Sequence, residues 1–194
     1  MRKETFNSSI VGIAVVLAGS ANAGVTVYRN FASWSSIADT EVLGSETFSG
    51  FNGYYPDSQG LSGAVGGAQW SVNAPFGVDV TDGLLSAASA GVLFFNFSAS
   101  GGISGVAGNF SGYQIQFGLS SGWFDLNLNN SAPMDFWGIH FDKGSILWMT
   151  VYQGGRPMVD NLSFMTGGFI PPIPTPGAFA AIGLAACLTR RRRG

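Results

Sequence analysis

Residues 113–128 read Tyr113-Gln-Ile-Gln-Phe117-Gly-Leu-Ser-Ser-Gly-Trp123-Phe124-Asp-Leu-Asn-Leu128. Apolar side chains recur at every second position through Tyr113, Ile115 and Phe117, and again through Phe124, Leu126 and Leu128. A period of two belongs to a strand with one face on a core, and the Ser-Ser-Gly between the runs belongs to a turn. The stretch predicts two antiparallel strands, each with its apolar trio inward.

The same pattern extends outward. Phe136 to Phe141 puts Trp137, Ile139 and Phe141 on the core face and leaves His140 with Gly138 on the outer face. Val92-Leu-Phe-Phe-Asn-Phe97 is denser and belongs near a sheet centre. Val25–Tyr28, Glu46–Phe48, Ala68–Asn73, Gly77–Val80, Ile146–Tyr152 and Met158–Phe164 read as further strands. Asn30 to Ala38 is the one helical candidate, capped by Asn30 and carrying Phe31, Trp34 and Ile37 at every third position. Residues 49–67 read as a long loop with brief strands, and Ser98 to Gly112 as a hairpin loop. About ten short strands separated by turn signals predict an all-β domain. The expected form is a two-sheet antiparallel sandwich, jelly-roll-like, with one short N-terminal helix.

The chain has 194 residues, 46% hydrophobic and 13% aromatic, enough for one domain with a real core. One cysteine excludes a disulfide framework and a cysteine-based zinc site. The basic charge is concentrated at the ends, in Arg2, Lys3 and Arg190 to Arg193, with Glu4 the one acidic residue there. Between them, Arg29, Lys143 and Arg156 stand against ten carboxylates. That acidic balance disfavours nucleic acid and anionic lipid.

Both ends read as processing segments. Met-Arg-Lys, an apolar run from Ile10 to Ala18, and Ala21-Asn-Ala23 follow the order of a secretory signal peptide over residues 1–23, with cleavage before Gly24. Residues 24–166 form the expected domain. Residues 167–177 are a Pro/Gly-rich linker, and residues 178–194 an apolar segment from Ala178 to Leu188 closed by Arg190, Arg191, Arg192 and Arg193. A basic cluster after an apolar segment stays on the cytoplasmic side. The segment is short for a hydrocarbon core of about 30 Å, which suits a transient transmembrane anchor.

Pro174-Thr175-Pro176-Gly177, the short Ala/Gly/Leu-rich segment and the arginine cluster resemble the PEP-CTERM sorting signal. Thr175 stands where that family usually has glutamate. The resemblance implies export, recognition by an exosortase-type enzyme, cleavage near the proline motif, and release or attachment at the bacterial cell surface. Phe136–Asp142 and Val159–Phe164 are similar to the central and closing strands of small extracellular β-sandwich domains that precede such tails. Signal peptidase, the sorting enzyme and extracellular polysaccharide are the implied partners.

The middle offers little chemistry. His140 is the only histidine, and no nucleophile motif accompanies it. Asp79-Val-Thr-Asp82-Gly83 and Asp142-Lys-Gly144 read as turns. No catalytic residue and no cofactor is expected. Structural calcium would draw on Asp57, Asp79, Asp82 or Asp160 with Asn161, although no spacing matches a known calcium loop. Tyr54, Tyr55, Trp123 and Trp148 are candidates for a sugar-stacking platform. The expectation is an exported surface or matrix protein with a non-enzymatic structural or adhesive role linked to exopolysaccharide. A carbohydrate-binding module is the alternative, and a glycoside hydrolase or lyase a more remote one.

Overall fold

The computed structural model describes residues 24–89, 91–153 and 155–167. In chain order the elements are β1 (Val25–Tyr28), α1 (Phe31–Ser35), β2 (Thr40–Glu46), β3 (Gly53–Tyr55), β4 (Leu61–Val65), β5 (Ala68–Asn73), β6 (Val78–Thr81), β7 (Leu84–Ala87), β8 (Gly91–Ser98), β9 (Gly105–Leu119), β10 (Gly122–Phe141), β11 (Ile146–Gln153) and β12 (Met158–Gly167). The fold is all-β and antiparallel throughout, with one short helix.

Hydrogen bonding joins all twelve strands into one sheet, where the sequence suggested two. The path runs β3-β6-β7-β12-β9-β11-β8-β5-β4, with β10 on the other edge of β9, β1 outside β10, and β2 on β12. The junction lies in β9. Gly105 to Phe110 sit between the second half of β10 and β12, whereas Gly112 to Leu119 sit between the first half of β10 and β11. One edge of β9 thus serves two successive partners. Strand β12 repeats the device, pairing β7 at Met158 and Val159 and β2 from Leu162 onward. Irregular register lets the strands turn between partners. β10 shifts twice against β9 between Asn127 and Asp135, and β12 shifts between Asp160 and Ser163. Asn161 in that shift has φ 53, a left-handed conformation that asparagine tolerates better than most residues. The Asp160 carboxylate accepts from its N–H at 2.7 Å and from its Nδ2 at 2.8 Å.

The principal core collects the inward positions of both parts of the sheet. Phe95, Phe117, Val151 and Leu126 meet Val106, Ile139 and Phe164 in one continuous apolar cluster. Phe97 on β8 packs edge-on against Phe164 on β12 with centroids 5.4 Å apart. Phe48 and Phe51 both lie edge-on to Trp70.

A second, smaller core covers the opposite face of β10, β9 and β12. It consists of Trp34, Ala107 and Met165, flanked by Tyr28, Ile37, Val42 and Phe136. Helix α1 supplies it. Asn30 caps the helix by accepting from Ser33 N–H at 2.8 Å. Its Trp34 indole is fully buried and donates from Nε1 to the Ile139 carbonyl at 3.0 Å. The ring occupies space that side chains at Gly105 and Gly138 would fill.

Several expectations change accordingly. His140, expected on an outer surface, is only 5% exposed, because the face it shares with Gly138 is the one under the second core. Tyr113, expected inward, is 43% exposed, while Ile115 and Phe117 are buried as predicted. It lies where β10 leaves regular register with β9, between Gln114 and Gly112. The strands expected around Phe124 and Phe136 are one long strand, β10. The hairpin loop expected up to Gly112 ends earlier, since β9 begins at Gly105.

Candidate functional site

Three sets of side chains carry the functional expectations: the processed ends, the carboxylates with His140, and the aromatic residues of the open sheet face. Of the first set, Ala21, Ala23, Pro174, Thr175, Pro176, Gly177, Arg190, Arg191, Arg192 and Arg193 lie outside the described residues. Gly24 lies within them. Its carbonyl accepts from the Asp142 N–H at 3.0 Å, which fixes it at the head of β1 alongside the end of β10. A Cβ at this position would overlap Asp142 Oδ1, and φ is +123, so the site suits glycine alone.

The carboxylates are dispersed, and several have local structural roles. Asp79 pairs with Arg156 at 3.2 Å, and Asp135 with Arg29 at 3.8 Å. Asp125 accepts from Gln116 Nε2 at 2.9 Å. Glu46 accepts from Phe48 N–H at 2.9 Å, where Phe48 has φ 55. Asp82 occupies a left-handed position beside Gly83 in the β6–β7 turn. Among the described residues, no three His, Cys, Asp or Glu side chains gather into a set that could hold a metal ion. The calcium candidates Asp57, Asp79, Asp82 and Asp160 are therefore not brought to one place.

His140 and Asp142 form a distinct pocket of unmet polarity. His140 Nε2 and Asp142 Oδ1 are both buried without a hydrogen-bond partner among the described residues. Burial pushes the imidazole below its ordinary pKa, while the Gly167 backbone and the Asp142 charge pull it back up. His140 stands opposite Thr26 on β1. The first and last described strands, β1 and β12, thus both reach this pocket, β1 through Gly24 and β12 through Gly167.

The open face is the third set. β4, β5 and β8 border a groove of about 660 Å³, whose outward side chains are Ser62, Ala64, Gln69, Ser71, Asn96 and Ser98. None is charged. The row containing Ser62, Ser71 and Asn96 continues across neighbouring strands to Trp148, Gly118 and Trp123. The Trp148 indole lies across Gly118, where any side chain would collide with it. Trp123 is 62% exposed. In the adjacent row stand Asn73, Phe94, Thr150, Gln116 and Asp125. The structure therefore brings Trp123 and Trp148 together but not Tyr54 or Tyr55. Those lie on β3 at the far end of the strand path, and Tyr54 donates its hydroxyl to the Phe76 carbonyl at 3.1 Å. Sequence reasoning missed the hydroxyl and carboxamide groove itself. Serine and asparagine on alternate positions read as generic surface until the register aligns them into one row.

No protein-family model, curated protein or solved structure matches the chain. The functional reading therefore rests on its own residues.

Proposed function

We propose that the chain is an exported bacterial surface or matrix protein with a non-enzymatic structural or adhesive role. A signal peptide delivers it, and a PEP-CTERM-type tail sorts it. The observation that carries the reading is the order of parts along the chain: a secretory signal, a β-rich body, a proline-glycine linker, then a short apolar segment closed by four arginines. Two features of the body support it. β1 begins at Val25, one residue past the expected cleavage point. Asp79 and Asp135 are taken up in ion pairs with Arg156 and Arg29, and Asp82 stands in a turn. The packing of Phe97 against Phe164 and of Phe48 and Phe51 against Trp70 supports a sandwich in which the single hydrogen-bonded network folds over its own core. Intact-mass spectrometry of the native protein, by cell fraction, tests the reading. The expected mass begins at Gly24 and ends near Pro174 to Gly177. A full-length C-terminus retained in the membrane would refute the sorting step.

A second reading has its own observation. The uncharged groove of serine, glutamine and asparagine side chains runs into a row bearing Trp148 and Trp123. Hydroxyl and amide groups match the hydrogen bonding of neutral sugars, and exposed rings stack on their faces. This face would take a neutral polysaccharide strand, with exopolysaccharide as the partner. Affinity electrophoresis in neutral polysaccharide gels should show retardation that Trp123→Ala weakens several-fold. Equal mobility with and without polysaccharide would remove this reading and leave the first intact.

A further inference from the structure

Gly24 and Asp142 carry an inference that rests on the export reading and reaches past it. We propose that Asp142 is the receiving site for the α-ammonium group created when the chain is cut between Ala23 and Gly24. A primary ammonium made by proteolysis is thus the ligand of a carboxylate already in place.

Four observations converge. Asp142 Oδ1 is buried and has no hydrogen-bond partner among the described residues. A buried carboxylate oxygen without a partner is costly, and such groups are ordinarily paired. That oxygen overlaps the place of a Cβ on Gly24, so it lies within about 4 Å of the Gly24 Cα and about 5 Å of its nitrogen by standard bond lengths. The bond from Asp142 N–H to the Gly24 carbonyl at 3.0 Å holds that carbonyl in register, so a terminal nitrogen there stays within one bond rotation of the carboxylate. Finally, among the described residues no lysine, arginine or histidine forms an ion pair with Asp142. Lys143 follows it in the turn, with its side-chain methylenes against Gly24, and His140 stands two residues before it.

In the uncut chain the Gly24 nitrogen is an amide, neutral and joined to Ala23. Hydrolysis of that peptide bond consumes one water. It leaves a carboxylate on Ala23 and an amine on Gly24, which takes up a proton at neutral pH. The charge appears beside the orphan oxygen of Asp142. Cleavage therefore completes the β1–β10 corner, and the processed domain is more stable than its precursor. Only glycine serves at this position, since any side chain would occupy the space of the carboxylate.

The test compares two purified chains in mild detergent, both running to Gly194. One begins at Gly24 and the other retains Ala21 to Ala23. The chain beginning at Gly24 should melt about 3–8 °C higher near pH 7, as a partly buried ion pair in a domain of this size would give. Bound beside a carboxylate, the amine should titrate above the ordinary range of about 7.7–8.0. Stability from a raised pKa is present below the unfolded value and is lost as pH rises through the folded one, so the difference should vanish in strong alkali. Asp142→Asn, which keeps the side-chain volume, should erase it at every pH. NMR titration of the Gly24 amine gives the same answer without any variant. Equal melting temperatures together with an ordinary amine pKa would overturn the proposal while leaving export untouched. A native protein whose mass begins elsewhere than Gly24 would overturn the proposal, and one that keeps the apolar run from Ile10 to Ala18 would overturn the export reading as well.

Discussion

Trp34 should hold the second core almost alone, and its removal is the sharpest test of how the sheet is covered. The indole is fully buried, donates to the Ile139 carbonyl at 3.0 Å, and shares its cluster with only Ala107 and Met165 as fully buried partners. Helix α1 has five residues, too few to hold itself together in water. Trp34→Ala therefore forfeits the packing and frees the helix, at about 3–5 kcal/mol on the scale of buried aromatic deletions. That is a large part of the roughly 5–15 kcal/mol that stabilises a typical domain. Gly138 supplies an internal control. Its φ is not left-handed, so alanine meets no backbone penalty there. The new Cβ would stand 2.7 Å from Trp34 Cδ1 and 3.1 Å from the Ala107 Cβ. Gly138→Ala should thus cost about 1–3 kcal/mol by overpacking. In the Trp34→Ala background only the Ala107 contact remains, so the same change should cost no more than about 1 kcal/mol, a coupling of about 1–2 kcal/mol. Urea unfolding of the four proteins, followed by tryptophan fluorescence and far-UV circular dichroism, measures both quantities. A Trp34→Ala cost below about 1 kcal/mol, or an equal Gly138→Ala cost in both backgrounds, would refute the account.

Other consequences can be measured alongside. Because burial lowers the His140 pKa, the unfolded state takes up a proton first as pH falls. Stability is then complete above the unfolded value of about 6.5 and declines as pH drops toward the folded one. Urea midpoints should fall between about pH 7.5 and 5.5 in the native protein and stay flatter in His140→Gln; parallel curves would refute the assignment. Arg156 donates to the Ala87 carbonyl at 2.8 Å, to Ser86 Oγ at 3.0 Å and to Asp79 at 3.2 Å, clasping β6 and β7. Arg156→Lys loses this fork, and given the exposure of the pair the unfolding free energy should drop by only about 0.5–1 kcal/mol. Asn161→Val should destabilise by about 1–2 kcal/mol, because a β-branched residue resists φ 53, whereas Asn161→Gly should be close to neutral.

Strand identity was legible wherever one face meets the core and the other meets water. Ile115, Phe117, Leu126 and Leu128 are buried as their alternation predicts. The Asn30 cap and the burial of Trp34 also followed from local chemistry. His140 did not, because a period of two assigns a residue to a face without saying whether another element covers it. The five-residue α1 does the covering, through contacts with β10 and β9 that no local pattern reveals. The joining of the strands into one sheet was hidden for a similar reason. It depends on β9 and β12 changing partners along their length, which the register shifts record and the sequence does not. At the candidate sites, the pairing of Trp123 with Trp148 and the approach of Asp142 to Gly24 are products of register. Asp82 and Asp142 stand in turns as the Asp-Gly and Asp-Lys-Gly motifs predict, whereas Asp79, expected in a turn, lies within β6.

The three partners of β9 all follow it in the chain, and this orders the assembly in time. β3, β6 and β7 can pair among themselves early, and so can β4, β5 and β8. Nothing joins the two fragments until β11 and β12 have been made, and β1 and β2 wait for β10 and β12. Ser45 finds Ser163 across 118 positions of chain, at 2.6 Å. Closures over such spans lose entropy before any contact compensates, so this topology folds slowly. A nascent chain stopped short of Met158 would hold two preformed halves with open edges, and β12, the last of the described strands to emerge, is the one that shuts them.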